Sequence, residues 1–412
     1  MEIISILFYT VWLCTVAIYT VALARLLLTS RREDSETNIE RYPTVSLIVP
    51  TYNEGQIIGR KLENILQLDY PRDKLNVLVV DSASTDDTRE VVKRLSQANE
   101  GKTSIRLIEQ LSRQGKSSAI NEALRISVSE IFSLTDADVL VPPEALKQLV
   151  KHLSKERIGA VSGVEIPVGG TGVLSQVEVG YRSVYTAVRM AEASLDTPFM
   201  CESESSIFAR DSLEPLKPGC MCDDLELTVM MRSRDRRGVY AIDAPFFERE
   251  ASSLKPKLLH KYRRSMANQH GIVRNRRALF NRTLGKYGTV IFPFEFFVNL
   301  VSPLLLVAAF ALFIGTILVS PSALPTESIF AVASGIPTLL ITRRLTRKYT
   351  SPEILKAQRT LTWLLGTVSF LGFQIFLIAS MINLAVRGPK LQWTQISETR
   401  APVQDEIKVE SR

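Results

Sequence analysis

Cysteine is scarce in this 412-residue chain, and the four present, Cys14, Cys201, Cys220 and Cys222, do not make a disulfide framework. Cys14 lies in an apolar run, and Cys220 and Cys222 are separated by a single residue. With only three histidines, no Cys–His spacing supports a zinc site, so reduced thiols are the simpler reading. No GxxxxGK[ST] frame is present, which excludes a P-loop. No DNA-binding motif accompanies the net charge of +7, so nucleic acid is not the expected partner. Basic character then points to phosphate-bearing ligands or an anionic membrane surface. No basic residue precedes the first apolar run, which argues against a cleaved signal peptide despite Ala22-Leu23-Ala24. Acidic residues are absent from Ala251 to Phe294, a stretch with ten Lys or Arg. Internal repeats and low-complexity tracts are absent too.

Long apolar runs, in contrast, are plentiful and sit at the two ends. Mean hydropathy is +0.09, high for a soluble enzyme. Ile3 to Ala24 carries no charge and as a helix would span ~33 Å, about one hydrocarbon core. Arg25, Arg31 and Arg32 follow it, so the positive-inside rule places the next segment in the cytoplasm. Residues 1–28 therefore read as an uncleaved anchor. After a polar linker, 44–286 reads as a soluble α/β domain. Val45–Val49, Asn76–Val80, Ser104–Ile108 and Ile131–Leu134 are β-branched runs. Helical patterns over Gln56–Leu68, Arg89–Gln97 and Ser117–Val128 separate them, as in a mostly parallel sheet. In 287–386, Leu300–Val319 and Leu361–Val386 are clear spanning candidates, and Ile329–Ile341 could span or be re-entrant. Ile291–Asn299, with Pro293 and Glu295, reads as an interfacial helix. Residues 387–412 are a polar tail.

Ligands in open α/β sheets bind beyond the carboxyl ends of the strands, and the chemical residues cluster there. The first strand stops at Pro50 and opens into Tyr52-Asn53-Glu54, a pocket rim. The second ends at Asp81, which can accept hydrogen bonds from a base or ribose; Asp81–Thr88 equally reads as a turn and helix cap, and both can hold. Gly115-Lys116 pairs a residue that permits close backbone approach with one that can neutralise phosphate near a helix start. A plain surface loop would have the same composition. Asp136 and Asp138 alternate along extended backbone, so both carboxylates face one spot. They repel unless a cation sits between them, and their oxygens suit Mg²⁺ or Mn²⁺ bridging a diphosphate. A helix cap before Val141-Pro142-Pro143 is the bland alternative. Asp223-Asp224 precede a helical run, where one carboxylate could take a proton from an acceptor hydroxyl or simply cap the helix. In the basic stretch, Lys261, Arg263 and Arg264 suit a leaving diphosphate or an anionic lipid surface.

In this order and spacing, Thr44 to about Arg277 resembles the family-2 glycosyltransferases with a GT-A fold. Pro50-Thr51-Tyr52-Asn53-Glu54 is similar to the family's PxYNE opening, and Asp81 to its uracil-contacting acid. Arg113-Gln-Gly115-Lys116 is similar to its RxGK segment beside the diphosphate. Asp136 and Asp138 match its DxD, the second being the metal ligand, and Asp224 matches the catalytic base. The resemblance implies a donor-binding half over 44–165, an acceptor-binding half over 166–286, and Mg²⁺ or Mn²⁺ as cofactor. The implied reaction is an inverting transfer from a nucleotide-diphosphate sugar, by resemblance a UDP-sugar. Donor contacts would come from Pro50, Tyr52, Glu54, Asp81, Lys116, Asp136 and Arg263 or Arg264, with Asp138 and Asp136 at the metal.

The flanking helices resemble the membrane-embedded branch that includes cellulose, hyaluronan and poly-N-acetylglucosamine synthases. Cys201–Ser206 falls where that branch has its acceptor loop, with Glu202 and Glu204 unusual for it. Processive members carry QxxRW after the base; here the stretch is His260-Lys-Tyr-Arg263-Arg264, without the Gln or the Trp. This favours one or a few additions to a lipid-linked glycan or glycolipid over a polysaccharide synthase. A sugar nucleotidyltransferase is a more remote alternative, since Thr51–Gly55 is not Gly-rich. An inactive scaffold or transporter is opposed by the intact Asp81, Asp138 and Asp224. The expected setting is the cell membrane, with the catalytic domain cytoplasmic and membrane lipids as neighbours. Topology holds one conflict. Gln392-Trp393-Thr394 with Arg400 resembles a cytosolic tail, yet six basic residues from Arg343 to Arg359 prefer the same side and would leave the tail outside.

Overall fold

The computed structural model describes residues 2–29, 39, 41–170, 172–251, 253–350, 360–389 and 397–400. Arg31, Arg32 and 392–394 lie outside these residues. Helix α1 spans Glu2–Thr29. The central domain then alternates β1 (Val45–Thr51), α2 (Gly55–Leu66), β2 (Leu75–Asp81), α3 (Thr88–Ala98), β3 (Ser104–Glu109), α4 (Lys116–Ile126) and β4 (Ile131–Thr135). It continues through β5 (Val139–Leu140), α5 (Ala145–Leu153), β6 (Ile158–Val168), α6 (Gly172–Leu195), β7 (Ser205–Ala209), α7 (Asp223–Ser233), β8 (Arg237–Arg249) and α8 (Leu254–Arg274). The four expected strands and three expected helices of the first half are present with boundaries shifted by two residues or fewer.

Eight strands form one mixed sheet in the order β3-β2-β1-β4-β7-β6-β8-β5. The first half is parallel, as its helical crossovers require. β7 runs antiparallel to both β4 and β6, so the sheet is mixed beyond β4. The side-chain period of two divides the core into layers. Val49, Val77 and Val79 pack with Ile58 and Leu62 of α2 on one face. Ile48, Leu78 and Val80 pack with Ile120 of α4 on the other. Register puts Thr51 opposite Asp81, so β1 and β2 end level and open their loops at one edge.

A second core joins this domain to the apolar helices. Leu23 and Leu26 of α1 pack with Ala187, Ala191 and Leu195 of α6 and with Phe199, Tyr287 and Phe292. Among the described residues, four stretches are long and apolar enough to cross a membrane: Ile3–Thr29, Tyr287–Val319, Pro321–Tyr349 and Leu361–Arg387. The second is one continuous helical path. It comprises α9 (Phe292–Phe296) between π-helical turns at Tyr287–Ile291 and Phe297–Val301, followed by α10 (Ser302–Val319). Ile291–Asn299, expected as a separate interfacial helix, is thus part of this path. The widened turns accommodate Pro293, and buried Glu295 is paired with Arg189 of α6. The 13-residue apolar run Ile329–Ile341 lies inside a longer helix, α11 (Leu324–Tyr349).

The last long helix, α12 (Thr360–Arg387), holds to the central domain along most of its length. Gly366 meets Gly180 of α6 so closely that an added Cβ would sit 2.4 Å from the Gly180 carbonyl carbon. Ser380 Oγ donates to Gln269 Oε1 of α8 at 2.7 Å, and Asn383 Nδ2 donates to Tyr262 Oη at 2.6 Å. Gly366→Val should therefore destabilise the fold by roughly 1–3 kcal/mol through overpacking against backbone. The check is thermal unfolding in detergent beside Gly372→Ala, whose Cβ would meet nothing within 4 Å. Equal melting of the two variants would deny the close crossing.

Candidate functional site

The carboxyl ends of the parallel strands open into a cavity of about 850 Å³. Pro50, Tyr52, Glu54, Lys116, Asp136, Asp138, Asp224, Arg263 and Arg264 all line it. Asp81 does not. It is fully buried below the rim, where its Oδ2 accepts from the Ser84 amide at 3.0 Å and from Arg89 Nε at 2.6 Å. Ser84 Oγ also donates to Asp81 Oδ1, and Ser82 is the neighbour that reaches the cavity wall. The helix cap does fall within Asp81–Thr88, at Asp87 rather than at Ser84 or Thr85, because α3 begins at Thr88.

The β1 loop is fixed by reciprocal bonds to the β2 loop. Asn53, at φ +52°, donates its amide to Ser84 Oγ at 2.8 Å and accepts from the Thr85 amide at 2.8 Å. The Glu54 amide donates to Thr88 Oγ1 at 2.8 Å. The Arg113 guanidinium stacks 3.8 Å from the Tyr52 ring centroid. Gly115, at φ +89°, turns the chain into α4, so Lys116 opens that helix. Its ammonium lies 2.8 Å from Asp136 Oδ1, 2.7 Å from Ser203 Oγ and 3.7 Å from Asp223 Oδ2.

Asp223 and Asp224 form the first turn of α7, where the helix dipole favours negative charge. The cap position itself is Cys222, and Asp223 and Asp224 line the cavity from the first turn. Asp224 Oδ1 accepts the Ser203 amide at 2.9 Å. Burial, then the charges of Asp223 and Glu204, hold the Asp224 carboxyl well above the ordinary carboxylate range. A carboxylate so displaced is a stronger proton acceptor than one free in water.

The structure separates the two arginines that spacing left equivalent. Arg264 sits among carboxylates, with Nη2 3.1 Å from Glu204 Oε1 and 3.5 Å from Glu248 Oε2. Arg263 makes no ion pair with a carboxylate among the described residues. It faces the cavity with its charge disfavoured by burial and by Arg264.

Two contributors were not read from the sequence as site residues. Lys61 is fully buried behind the DxD turn, its ammonium 2.6 Å from both Thr135 Oγ1 and the Val139 carbonyl. Burial lowers its pKa to about 7 against the opposing pull of Asp136 and Asp138. The signal was present: Lys61 shares the apolar face of α2 with Ile57, Ile58 and Ile65. Arg400 of the tail makes a bidentate contact with Glu54, Nη2 to Oε1 at 3.0 Å and Nε to Oε2 at 3.1 Å. Its Nη1 lies 3.1 Å from Asp138 Oδ2. No spacing rule links residues so far apart.

Asp136 and Asp138 are thus each held against a cation, Lys116 and Arg400. Hard carboxylate oxygens that face a cavity and call for positive charge fit Mg²⁺ or Mn²⁺, with further positions filled by phosphate and water. Among the described residues no group of three or more His, Cys, Asp or Glu could by itself hold a metal ion. The described cysteines are free thiols.

Lys61→Met should leave the Thr135 hydroxyl and Val139 carbonyl without their buried donor. The expected loss is on the order of 1–3 kcal/mol, read by denaturant or thermal unfolding. A variant as stable as the parent would show that the ammonium contributes no net support to the DxD turn.

Residues 46–214 match the family model described as glycosyl transferase family 2. A beta-monoglucosyldiacylglycerol synthase of Nostoc sp. is 30% identical over 157 residues, 38% of this chain and 31% of that protein. The poly-beta-1,6-N-acetyl-D-glucosamine synthase of Staphylococcus aureus is 20% identical over 165 residues, 40% of this chain and 39% of that protein. The chain therefore spans well under half the length of these curated relatives. Among solved structures, the mannosyltransferase PcManGT from Pyrobaculum calidifontis, in complex with GDP-Man and Mn²⁺, superposes with a TM-score of 0.69 at 27% identity. That match covers 93% of this chain and 99% of PcManGT. Matched residues, sheet order and clustered carboxylates agree: residues 46–214 match a family-2 glycosyltransferase domain, in a chain of GT-A fold whose described residues include apolar helices long enough to cross a membrane.

Proposed function

We propose that this chain moves a sugar from a nucleoside diphosphate sugar onto a hydroxyl of a lipid-borne acceptor, with inversion at the anomeric carbon. The observation that carries this reading is one continuous cavity. At one end lie Lys116, Asp136, Asp138, Asp224 and Arg263. At the other lie Trp12 and Val16 of α1, Leu339 of α11 and Phe370 of α12. Phosphate chemistry and hydrocarbon thus share a single space.

In this mechanism Tyr52, Glu54 and the β2 loop around Asp81 and Ser82 shape the base and ribose pocket. Lys116 and Arg263 neutralise the diphosphate as negative charge develops on it. A divalent cation held by Asp138 and Asp136 would add Lewis-acid stabilisation of the leaving group. Asp224 takes the acceptor proton, the acceptor oxygen bonds to the anomeric carbon, and the carbon–oxygen bond to the diphosphate breaks. Its electron pair departs with the nucleotide. Arg264, engaged by Glu204 and Glu248, positions the acceptor wall rather than the phosphates. A UDP donor is supported by the resemblance alone; the GDP-Man in PcManGT keeps a guanine donor under test.

The missing QxxRW weighs against processive polymerisation. A second reading, a polysaccharide synthase, rests on the similarity to the poly-N-acetylglucosamine enzyme and predicts a high-mass product.

Detergent-purified protein should release nucleoside diphosphate from one member of a panel of UDP- and GDP-sugars with Mn²⁺, and membrane lipid extract should stimulate that release. Asp224→Asn should lower turnover by ~10²-fold or more while leaving donor affinity unchanged. Near-parental turnover of that variant would remove Asp224 from its role.

We place the catalytic domain on the cytoplasmic side of the cell membrane, with α12 along the membrane face. Support comes from α12 itself. It touches α6 and α8 of the catalytic domain, and Arg400 beyond it reaches Glu54. Two crossings after the domain, through α10 and α11, then bring both Arg343 and the tail to the catalytic side. The conflict between basic residues and tail disappears. In sealed vesicles with Cys14 replaced, Arg387→Cys and Asp211→Cys should react with an impermeant maleimide from the same side. Reaction from opposite sides would make α12 a crossing helix.

A further inference from the structure

We infer that the acceptor presents a neutral hydroxyl, on a glycosyl or glycerol head, and that a lipid monophosphate is excluded. This rests on the transferase reading and names the chemistry of its acceptor. The chain as a whole carries +7, yet the cavity is lined by twelve carboxylates against ten Lys and Arg. The excess of acid lies on the acceptor side. Asp223 and Glu204 stand beside Asp224, and Glu202, Glu248 and Glu165 continue the acidic wall from Glu204.

The cations on that side are already engaged. Arg182 Nη1 lies 2.6 Å from Glu165 Oε2, Lys261 Nζ 2.9 Å from Glu178 Oε2, and Lys257 Nζ 2.6 Å from Glu250 Oε2. Arg264 is shared among Glu204, Glu248 and Glu165. Among the described residues this wall holds no cation spare for an entering phosphate. Lys116 and Arg263 lie with the donor in the mechanism above.

The carboxylates, in contrast, have capacity left. Asp223, 9% exposed, and Glu204 each keep a buried oxygen, Oδ2 and Oε2, without a hydrogen-bond donor. Ionised carboxylates only accept hydrogen bonds. A lipid monophosphate carries close to two negative charges near neutral pH and little but acceptors, so it would face repulsion with no compensating bond. Sugar or glycerol hydroxyls donate, and satisfy these oxygens without bringing charge. The reaction then balances simply. The acceptor O–H loses its proton to Asp224, the new carbon–oxygen bond forms, and the nucleoside diphosphate leaves with the bonding pair.

The experiment supplies the full chain with a labelled nucleotide sugar and Mn²⁺. It compares diacylglycerol and a neutral dodecyl glycoside with polyprenyl monophosphate in the same micelles. Label should enter a neutral lipid and not the monophosphate. Glu204→Gln should raise KM for the neutral lipid by about tenfold, with KM for the donor unmoved. Label in the monophosphate alone overturns the inference. So does slow donor hydrolysis with no transfer to either neutral lipid, although the transferase reading would then survive. No nucleotide release under any condition removes both.

Discussion

Countering negative charge away from water is the constraint on which this structure turns. The GT-A arrangement brings carboxylates from four separate loops to one edge of the sheet, where each would repel the others. An unpaired buried charge is unfavourable by several kcal/mol or so, and among the described residues the fold sets cations against most of these carboxylates, Asp224 being held instead by the Ser203 amide. Lys116 bridges β4 to α7 by touching Asp136 and Asp223. Arg264 ties α8 to β8 and the Glu204 loop. Arg189 ties α6 to the membrane-facing path at Glu295. Much of the tertiary organisation around the cavity is therefore charge pairing, laid over an apolar sheet core.

The membrane-facing part follows from the same pattern. Helices α6 and α8 belong to the catalytic domain, yet they present Gly180, Tyr262 and Gln269 to α12. Polar contacts and a glycine crossing supplement the aromatic contact of Tyr181 with Phe373 along this seam. Such contacts are short-range and directional, so they fix where α12 lies more narrowly than greasy packing could.

The donor half of the site was legible because it is local. Strand ends read at Pro50 and Asp81 put two adjacent loops at a common edge, and the structure pairs Thr51 with Asp81 there. Asp136 and Asp138 were readable as a pair for the same reason. The rest depends on contacts between distant residues. Asp81 has a carboxylate suited to a ligand, but a serine three positions on and an arginine eight positions on claim it first. Arg263 and Arg264 are indistinguishable by composition; only the approach of β8 and the Glu204 loop assigns one to a structural cage. Lys61 was visible as a charge on an apolar face, a pattern that marks a partner without naming it. Arg400 was read only as part of a tail resemblance, since its contact with Glu54 comes from 346 positions away.

That last contact has a consequence for biogenesis. A chain emerges from the ribosome in order, and its amino-terminal half can pair its strands and bury its core early. Glu54 and Asp138 would then wait, incompletely neutralised, through the synthesis of every apolar helix. Only when residue 400 has cleared the exit tunnel does their guanidinium partner arrive. The nascent chain has therefore made all its long apolar helices before the cavity acquires its final charge balance.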